Sequence, residues 1–383
     1  MKIMSTRNIN IFGFNSFVIS SIFIIFIVSF PSLSILRVPL LIAHFCFFYF
    51  FNLFRFKKVF FNTNVFFIFL LILYIVIQNL ILQDDFLSII QAIVVTFFLF
   101  IASQISLSER QYYLKQNRHV FLAKILLFIL PFFLISFTQW SDFRKPGLFM
   151  NPNITSQLSV MLLPFVILGL NKKSLKAAGI FIVFLIAVIT ASRSTLMALI
   201  LSVIIYITVA KFPKLKFPSL LLILSTTTVI SIYAVDISIW VFNTFSSILN
   251  QSSSRLLYLG YNGRDVLLDL AIERFKTQPY FGLGFGGAKF DFDGHVLGTH
   301  NGLIEILIKF GTIGAIIFTI FIIRLISIVS KHDPKFKAVS MMSLTAILSL
   351  STNSSTFFVL NYLFIYSILL VYLGLPKKTS TNI

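Results

Sequence analysis

A chain of 383 residues with 58% hydrophobic residues, 11% charged residues and a mean hydropathy of +0.97 is not a soluble globular domain, in which about a quarter of residues are charged. Its net charge of +19 would point to nucleic acid in a soluble protein. Here the lysines and arginines sit between long apolar segments, which is the pattern of membrane-topology determinants and excludes a nucleic-acid partner. The single cysteine, Cys46, lies in an apolar run and excludes an intramolecular disulfide.

Apolar runs of about 20 residues recur down the chain, each long enough to cross a hydrocarbon core roughly 30 Å thick. Backbone in such a core must satisfy its own hydrogen bonds, and continuous rather than alternating apolar runs decide for helices over a barrel. The first run, 11–30, follows Lys2 and Arg7 in the manner of a secretory signal. It is longer than an h-region and ends Ser29-Phe30-Pro31 without a small-x-small cleavage site, so it is read as a retained helix. Further membrane helices are expected at 38–54, 65–82, 86–105, 120–138, 154–170, 175–190, 194–210, 218–236, 302–327, 338–352 and 356–374. The expected fold is all-α, a polytopic membrane domain over 1–383 with about twelve transmembrane helices.

With the N-terminus inside, roughly two thirds of the 31 Lys and Arg fall in inside segments, which puts both termini in the cytoplasm. Arg37, Arg144, Lys145, Arg193, Arg264 and His300 then fall on the extracytoplasmic side. So does the segment 237–301, a large loop too long for an ordinary connection and therefore a functional candidate. Within it, Gly263 to Lys276 sets Val266, Leu267, Leu270, Ala271 and Phe275 against Asp265, Asp269, Glu273 and Arg274. That spacing fits an amphipathic helix on the membrane surface or on the top of the bundle.

Four pieces on this outer side carry chemistry. The first is Arg144-Lys145-Pro146-Gly147-Leu148-Phe149-Met150-Asn151-Pro152-Asn153, a turn-rich loop with Asn153 as a candidate helix cap. Two adjacent cations outside break the charge bias, which favours a ligand role for Arg144. The second is Thr190-Ala191-Ser192-Arg193-Ser194-Thr195 between two apolar runs. The plainer reading is a turn with a snorkelling arginine; the functional one is anion binding, helped by the N-terminus of the following helix.

The third piece, Gly282-Leu283-Gly284-Phe285-Gly286-Gly287, matches a dinucleotide fingerprint by letter, but no βαβ unit surrounds it. A tight turn, or a backbone nest approaching a phosphate, fits better. The fourth is His300-Asn301-Gly302 at the mouth of the 302–327 helix. A lone histidine is more often a structural hydrogen-bonder, yet imidazole is the side chain best suited to take a proton near neutral pH. His295 and His300 with Asp291 and Asp293 match no standard ligand spacing, so no metal is expected.

Together these pieces resemble the O-antigen ligase/polymerase family of bacterial integral membrane glycosyltransferases. The resemblance is carried by Arg144…Gly147-Leu148-Phe149…Asn151-Pro152-Asn153, Thr190-Ala191-Ser192-Arg193-Ser194, Gly263-Arg264…Pro279…Gly282-Leu283-Gly284, and His300-Asn301-Gly302-Leu303…Leu307…Gly311…Gly314. It covers a core of roughly 140–327. One departure is the absence of an aromatic just after the Gly-Arg pair, where Val266, Leu267 and Leu268 stand.

The resemblance implies transfer of a glycan from undecaprenyl diphosphate to a sugar hydroxyl, on lipid A-core or on another lipid-linked unit. It implies a bacterial inner-membrane enzyme of O-antigen, lipopolysaccharide or exopolysaccharide assembly, with its site facing outward and no cofactor. Arg193 and Arg264 would hold the diphosphate and His300 would be the base. Arg144, Asn301, Gly282 and Gly284 would bind substrate. Membrane lipids and the lipid-linked donor and acceptor are the expected partners, and a chain-length regulator is a candidate. Polymerase and ligase are not separated by these residues. The alternative is a twelve-helix transporter or flippase of lipid-linked glycan without catalysis, whose polar site would be expected near the midplane rather than at one face.

Overall fold

A computed structural model describes residues 14–29, 63–82, 100–103, 118–135, 147–149, 151–232, 264–284, 289–292, 295–298, 301–352 and 363–374, with 40, 43–44, 46–48 and 50. The expected spans 38–54 and 86–105 lie largely outside the described residues, as do Arg144 and His300. The helices are α1 (Phe14–Ser29), α2 (Thr63–Leu82), α3 (Arg118–Ile129, continued by a 3-10 turn over Leu130–Leu134), α4 (Pro152–Gly169), α5 (Lys173–Ile189) and α6 (Arg193–Lys211). They continue with α7 (Phe217–Ile232), α8 (Arg264–Thr277), α9 (Gly302–Ser330), α10 (Pro334–Ser351) and α11 (Leu363–Leu373). Among the described residues, α4, α6 and α9 are long and apolar enough to cross a membrane.

The described residues are helical, as expected, with one short hairpin added. β1 (Lys289–Phe292) pairs antiparallel with β2 (His295–Gly298), in the register Lys289↔Gly298 to Phe292↔His295. The local cause is in the sequence: Lys-Phe-Asp-Phe alternates, and Asp293-Gly294 between the strands is a strong two-residue hairpin signal.

Helices α4 and α10 form the centre, buried on almost every side from Thr155 to Gly169 and from Phe336 to Ser351. A helix buried all round has no polar face to spare, so its small polar residues pair across helices instead. Ser156 Oγ meets Thr195 Oγ1 of α6 at 2.9 Å, Ser343 Oγ meets Ser367 Oγ of α11 at 2.9 Å, and Ser21 Oγ of α1 meets Tyr366 Oη at 2.7 Å. Such interhelical bonds contribute about 0.6 kcal/mol each and allow close backbone approach.

The direction of the helices sorts the polar residues to two ends. Lys337 Nζ, at the start of α10, donates to Pro213 O at 3.1 Å and Leu215 O at 3.3 Å, just past the end of α6, so α6 and α10 are antiparallel. Lys335 Nζ donates to Asn171 Oδ1 in the α4–α5 turn at 3.5 Å. The turns holding Lys172, Lys214 and Lys331 therefore share one end, the lysine end. The starts of α4 and α6, with Asn151 and Arg193, lie at the other.

Helix α9 is broken at Gly311, whose φ of 63° and ψ of −170° are not helical, which corrects the expectation of one continuous span at 302–327. The part beyond the break, 312–330, is ~28 Å long at 1.5 Å per residue, about one hydrocarbon thickness. It ends at the lysine end, since it leads directly into α10, and Phe321 packs on Phe364 at 6.0 Å while Gly374 closes on His332. Gly311 thus lies near the face opposite the lysines.

A helix broken here loses the i→i−4 bonds from Thr312 to Ile308 and from Ile313 to Lys309. The turn after α8 replaces both. Leu283 N donates to Ile308 O at 2.7 Å and Gly284 N to Lys309 O at 3.1 Å, while Thr312 N donates to Pro279 O at 2.8 Å and Ile313 N to Tyr280 O at 3.2 Å. Helix α2 contributes side chains to the same carbonyls. Tyr74 Oη donates to Phe310 O at 2.6 Å, and Gln78 Nε2 donates to Lys309 O at 2.5 Å and to Phe281 O.

A Cβ at Gly282 would collide with the Gly311 amide nitrogen, and one at Gly311 with Tyr280 O. Both residues also have positive φ. Gly311→Ala should therefore cost about 2–5 kcal/mol from left-handed strain plus overpacking. Thermal melting of the purified protein in detergent should show a large drop. Gly179→Ala, whose new Cβ would sit 3.2 Å from the movable Val166 Cγ1, should melt close to the parent.

Candidate functional site

Helix α6 begins at Arg193 immediately after a tight stop to α5. Ser192 N donates to Ala187 O at 3.0 Å and Ala191 N to Val188 O at 2.9 Å, a paired closure that ends a helix with one residue in the left-handed region. That residue is usually glycine; here it is Ala191 at φ 48°. Ser192 Oγ meets Thr195 Oγ1 at 2.8 Å, and Thr195 Oγ1 also meets Ser156 Oγ, so the turn is fastened to α4. Arg193 is half-buried at this junction. Among the described residues its guanidinium makes no hydrogen bond or ion pair.

Beside it, α4 is capped by Asn151 rather than by Asn153. Asn151 Oδ1 accepts from Asn153 N at 2.9 Å and Ile154 N at 3.2 Å, with Pro152 at the first helical position. Proline there is pre-set for the helix and loses only an amide that had no partner, which is why the cap precedes it. The loop before the cap is pinned by Leu148 N donating to Phe133 O at 3.3 Å and by Phe149 packed edge-on against Phe133 at 4.8 Å. Arg144 lies three residues ahead of the left-handed Gly147.

The expected amphipathic helix is present as α8, with Arg264 as its first residue. Leu267 and Ala271 are buried with Ile308, and Phe275, Leu283 and Ile304 pack around them. Leu270 and Ile272 remain exposed. The C-terminal end of α8 leads into the turn bonded at Gly311, so α8 runs beside 302–310 in the same direction. Arg264 consequently starts at the end where Asn301 opens α9. Asn301 is itself a cap: Oδ1 accepts from Leu303 N at 3.1 Å and Ile304 N at 3.2 Å. His300 is its neighbour in the chain.

Of the two readings of the glycine piece, Gly282 and Gly284 fit the tight turn, while Phe285-Gly286-Gly287 lies outside the described residues. Gly282 N donates to Gln278 O at 2.9 Å, and the Leu283 and Gly284 amides donate to α9. All three are used inside the fold. Two participants were missed from the sequence, Tyr74 and Gln78; the available signal was a glutamine and a tyrosine within one apolar run. A third is the buried pair Glu305 Oε1–Lys309 Nζ at 2.5 Å, one turn apart on the short helix before the break. Glutamate near the helix start and lysine near its end both suit the helix dipole.

The arrangement thus sets Arg193 and the Asn151-capped start of α4 at the end opposite the lysines, and the start of α8 beside the Asn301-capped short helix that carries the buried charge pair. Residues 178–319 match the O-antigen ligase family. The O-antigen ligase match runs from α5 to the middle of α9 and includes Arg193, Arg264, Gly282, Gly284, His300 and Asn301; the Arg144–Asn153 loop precedes it. No curated protein matches the chain. The match bears out the resemblance over residues 178–319, and the apolar helices suit a membrane protein.

The left-handed Ala191 gives a direct test of the α5–α6 turn. Ala191→Gly should be neutral or raise stability by up to about 1 kcal/mol, whereas Ala191→Val should lower it by more than that. Melting midpoints of the two variants, measured in one detergent, should fall on opposite sides of the parent or with only valine displaced.

Proposed function

We propose that this protein is an inner-membrane glycosyltransferase that moves a glycan from undecaprenyl diphosphate to a sugar hydroxyl at the extracytoplasmic face. The observation that supports it best is Arg193, a half-buried guanidinium with no partner among the described residues, at the end of the bundle opposite the lysines. A half-buried cation with no counter-charge among the described residues is what an anionic substrate requires. Arginine suits it because guanidinium keeps its charge beside lipid and binds phosphate oxygens in pairs.

In this reading the lysine end faces the cytoplasm, by the positive-inside rule, and both termini lie there. No nucleotide sugar is available on the outer face, so the donor brings its own leaving group. The acceptor oxygen attacks the anomeric carbon, and the bond from that carbon to the diphosphate oxygen breaks. His300 takes the hydroxyl proton as general base. Arg193 and Arg264 stabilise the negative charge that develops on the departing lipid diphosphate, and Arg144 positions donor or acceptor. Asn301 acts through the cap that fixes the start of α9, and Gly282 and Gly284 act by holding α8 against the break. Polymerisation and ligation differ only in the acceptor: a second lipid-linked unit or lipid A-core.

Arg264→Ala and His300→Ala should each abolish glycan transfer by the purified protein while leaving its level in the membrane normal. Full activity in both would overturn the assignment. Arg193→Ala should lower turnover by roughly 100- to 1,000-fold, the usual cost of one lost charge-stabilising donor. Arg193→Lys should recover part of it, since charge returns without the paired geometry. Turnover with a lipid-diphosphate donor in detergent, where no gradient exists, measures both effects.

A further inference from the structure

The turn that closes the break in α9 also walls a cavity. It lies between the last turn of α2 and residues 277–281 and has a volume of about 340 Å³, within the range of small-ligand pockets. Ile81, Tyr280 and Phe281 give it apolar walls, Thr277 and Gln278 give it an exposed polar rim, and Gln78, only 2% exposed, forms its inner end.

The two arms of the Gln78 amide are used differently. Nε2 donates to Lys309 O and Phe281 O. Oε1 is buried and has no hydrogen-bond partner among the described residues. The amide cannot be turned over to relieve this, because Oε1 would then face two carbonyl oxygens and no donor. A buried acceptor left unmet is costly, so Gln78 Oε1 asks for a donor from a molecule that enters the cavity.

The lining narrows what that molecule is. None of the eight residues around the cavity is charged, so it offers no cation to a diphosphate or to an anionic lipid headgroup. A bare hydrocarbon chain suits the walls but brings no donor to Gln78 Oε1. A sugar ring meets both demands, with hydroxyl donors on its edge and a C–H face for an aromatic wall. The cavity adjoins Thr277, the last residue of α8, and Arg264 is the first. At 1.5 Å per residue the two ends are about 20 Å apart, too far for the sugar that reacts beside Arg264. We propose that this cavity is a distal glycan subsite, holding a neutral sugar several units along the chain from the one at the transfer centre. A sugar hydroxyl donates to Gln78 Oε1 and the ring rests on Tyr280 or Phe281. The subsite rests on the glycosyltransferase reading above and adds to it a preference for longer glycans.

The test uses the full chain in a neutral detergent without a sugar headgroup. The probes are oligosaccharides of one and of several repeat units, cut from the surface polysaccharide of the cells that make the protein, with undecaprenol as an apolar competitor. Equilibrium binding should be tighter for the longer oligosaccharide, and undecaprenol should not displace it. Tyr280→Ala/Phe281→Ala should weaken the longer one by roughly three- to ten-fold, the worth of an aromatic contact, and leave the shorter one unchanged. Gln78→Leu should weaken the longer one as well. Because Gln78→Leu also removes the brace on Lys309 O, the aromatic pair decides should that variant melt early: its side chains make none of the bonds that close the break. Parent-like binding of the longer oligosaccharide in the aromatic variant overturns the subsite, and displacement by undecaprenol makes the cavity a lipid groove and overturns it too. Binding that depends on these residues in a protein that transfers nothing overturns the proposed function and leaves the subsite standing. Transfer with an unchanged KM for long acceptors in the aromatic variant overturns the subsite alone.

Discussion

A helix that breaks at the edge of a bilayer releases backbone groups that lipid cannot satisfy. In this protein the break at Gly311 is tolerated because another segment supplies the missing partners one for one. Two lost helical bonds are replaced by four from the turn 279–284, and the third freed carbonyl, on Phe310, takes the Tyr74 hydroxyl. This exchange fixes the position of α8, which leads into the same turn, and of the short helix 302–310, which carries the Glu305–Lys309 pair. Two parts of the 178–319 region are thus joined by main-chain bonds as well as by the packing of Leu267 and Ala271 on Ile308.

Because those bonds need two backbones in near contact, Gly282 and Gly311 face each other with no room for a Cβ. The glycine pattern that looks like a phosphate cradle in sequence is therefore spent on positioning. A backbone amide can serve a ligand or a neighbouring carbonyl. In a segment that closes a helix break next to lipid, the unpaired carbonyl is the costlier one to leave unmet.

Much of the fold is written in hydropathy, since a helix in lipid has little freedom about where it ends. The runs 154–170 and 194–210 become Pro152–Gly169 and Arg193–Lys211, with shifts of one or two residues. The amphipathic pattern from Gly263 to Lys276 becomes α8, and the burial of Leu267 and Ala271 follows from it. The break at Gly311 is a different case. A single glycine in an apolar run has the same appearance whether it packs, bends or interrupts, and only the partner turn from 279–284 decides among these. The hairpin is a third case, where Asp293-Gly294 carried the signal but the glycines before it drew attention to phosphate. At Asn151 the rule for proline at the first helical position selects the cap, while composition alone leaves Asn151 and Asn153 equal.

The site itself is legible as a set of residue types and only partly as a geometry, and Arg193 shows why. A cation in the first turn of a helix opposes the helix dipole. It is half-buried next to lipid, and it follows a left-handed alanine that adds about 1 kcal/mol of strain. Three unfavourable features at Ala191 and Arg193 persist only because the surrounding α4–α6 and α6–α10 contacts hold them, through Thr195 and Ser156 at this end and Lys337 at the other. An anion at the same place changes the sign of two of the three, since it is attracted both by the guanidinium and by the open helix terminus. Under the proposed function, the structural penalty and the affinity for a diphosphate would be one arrangement without and with its ligand.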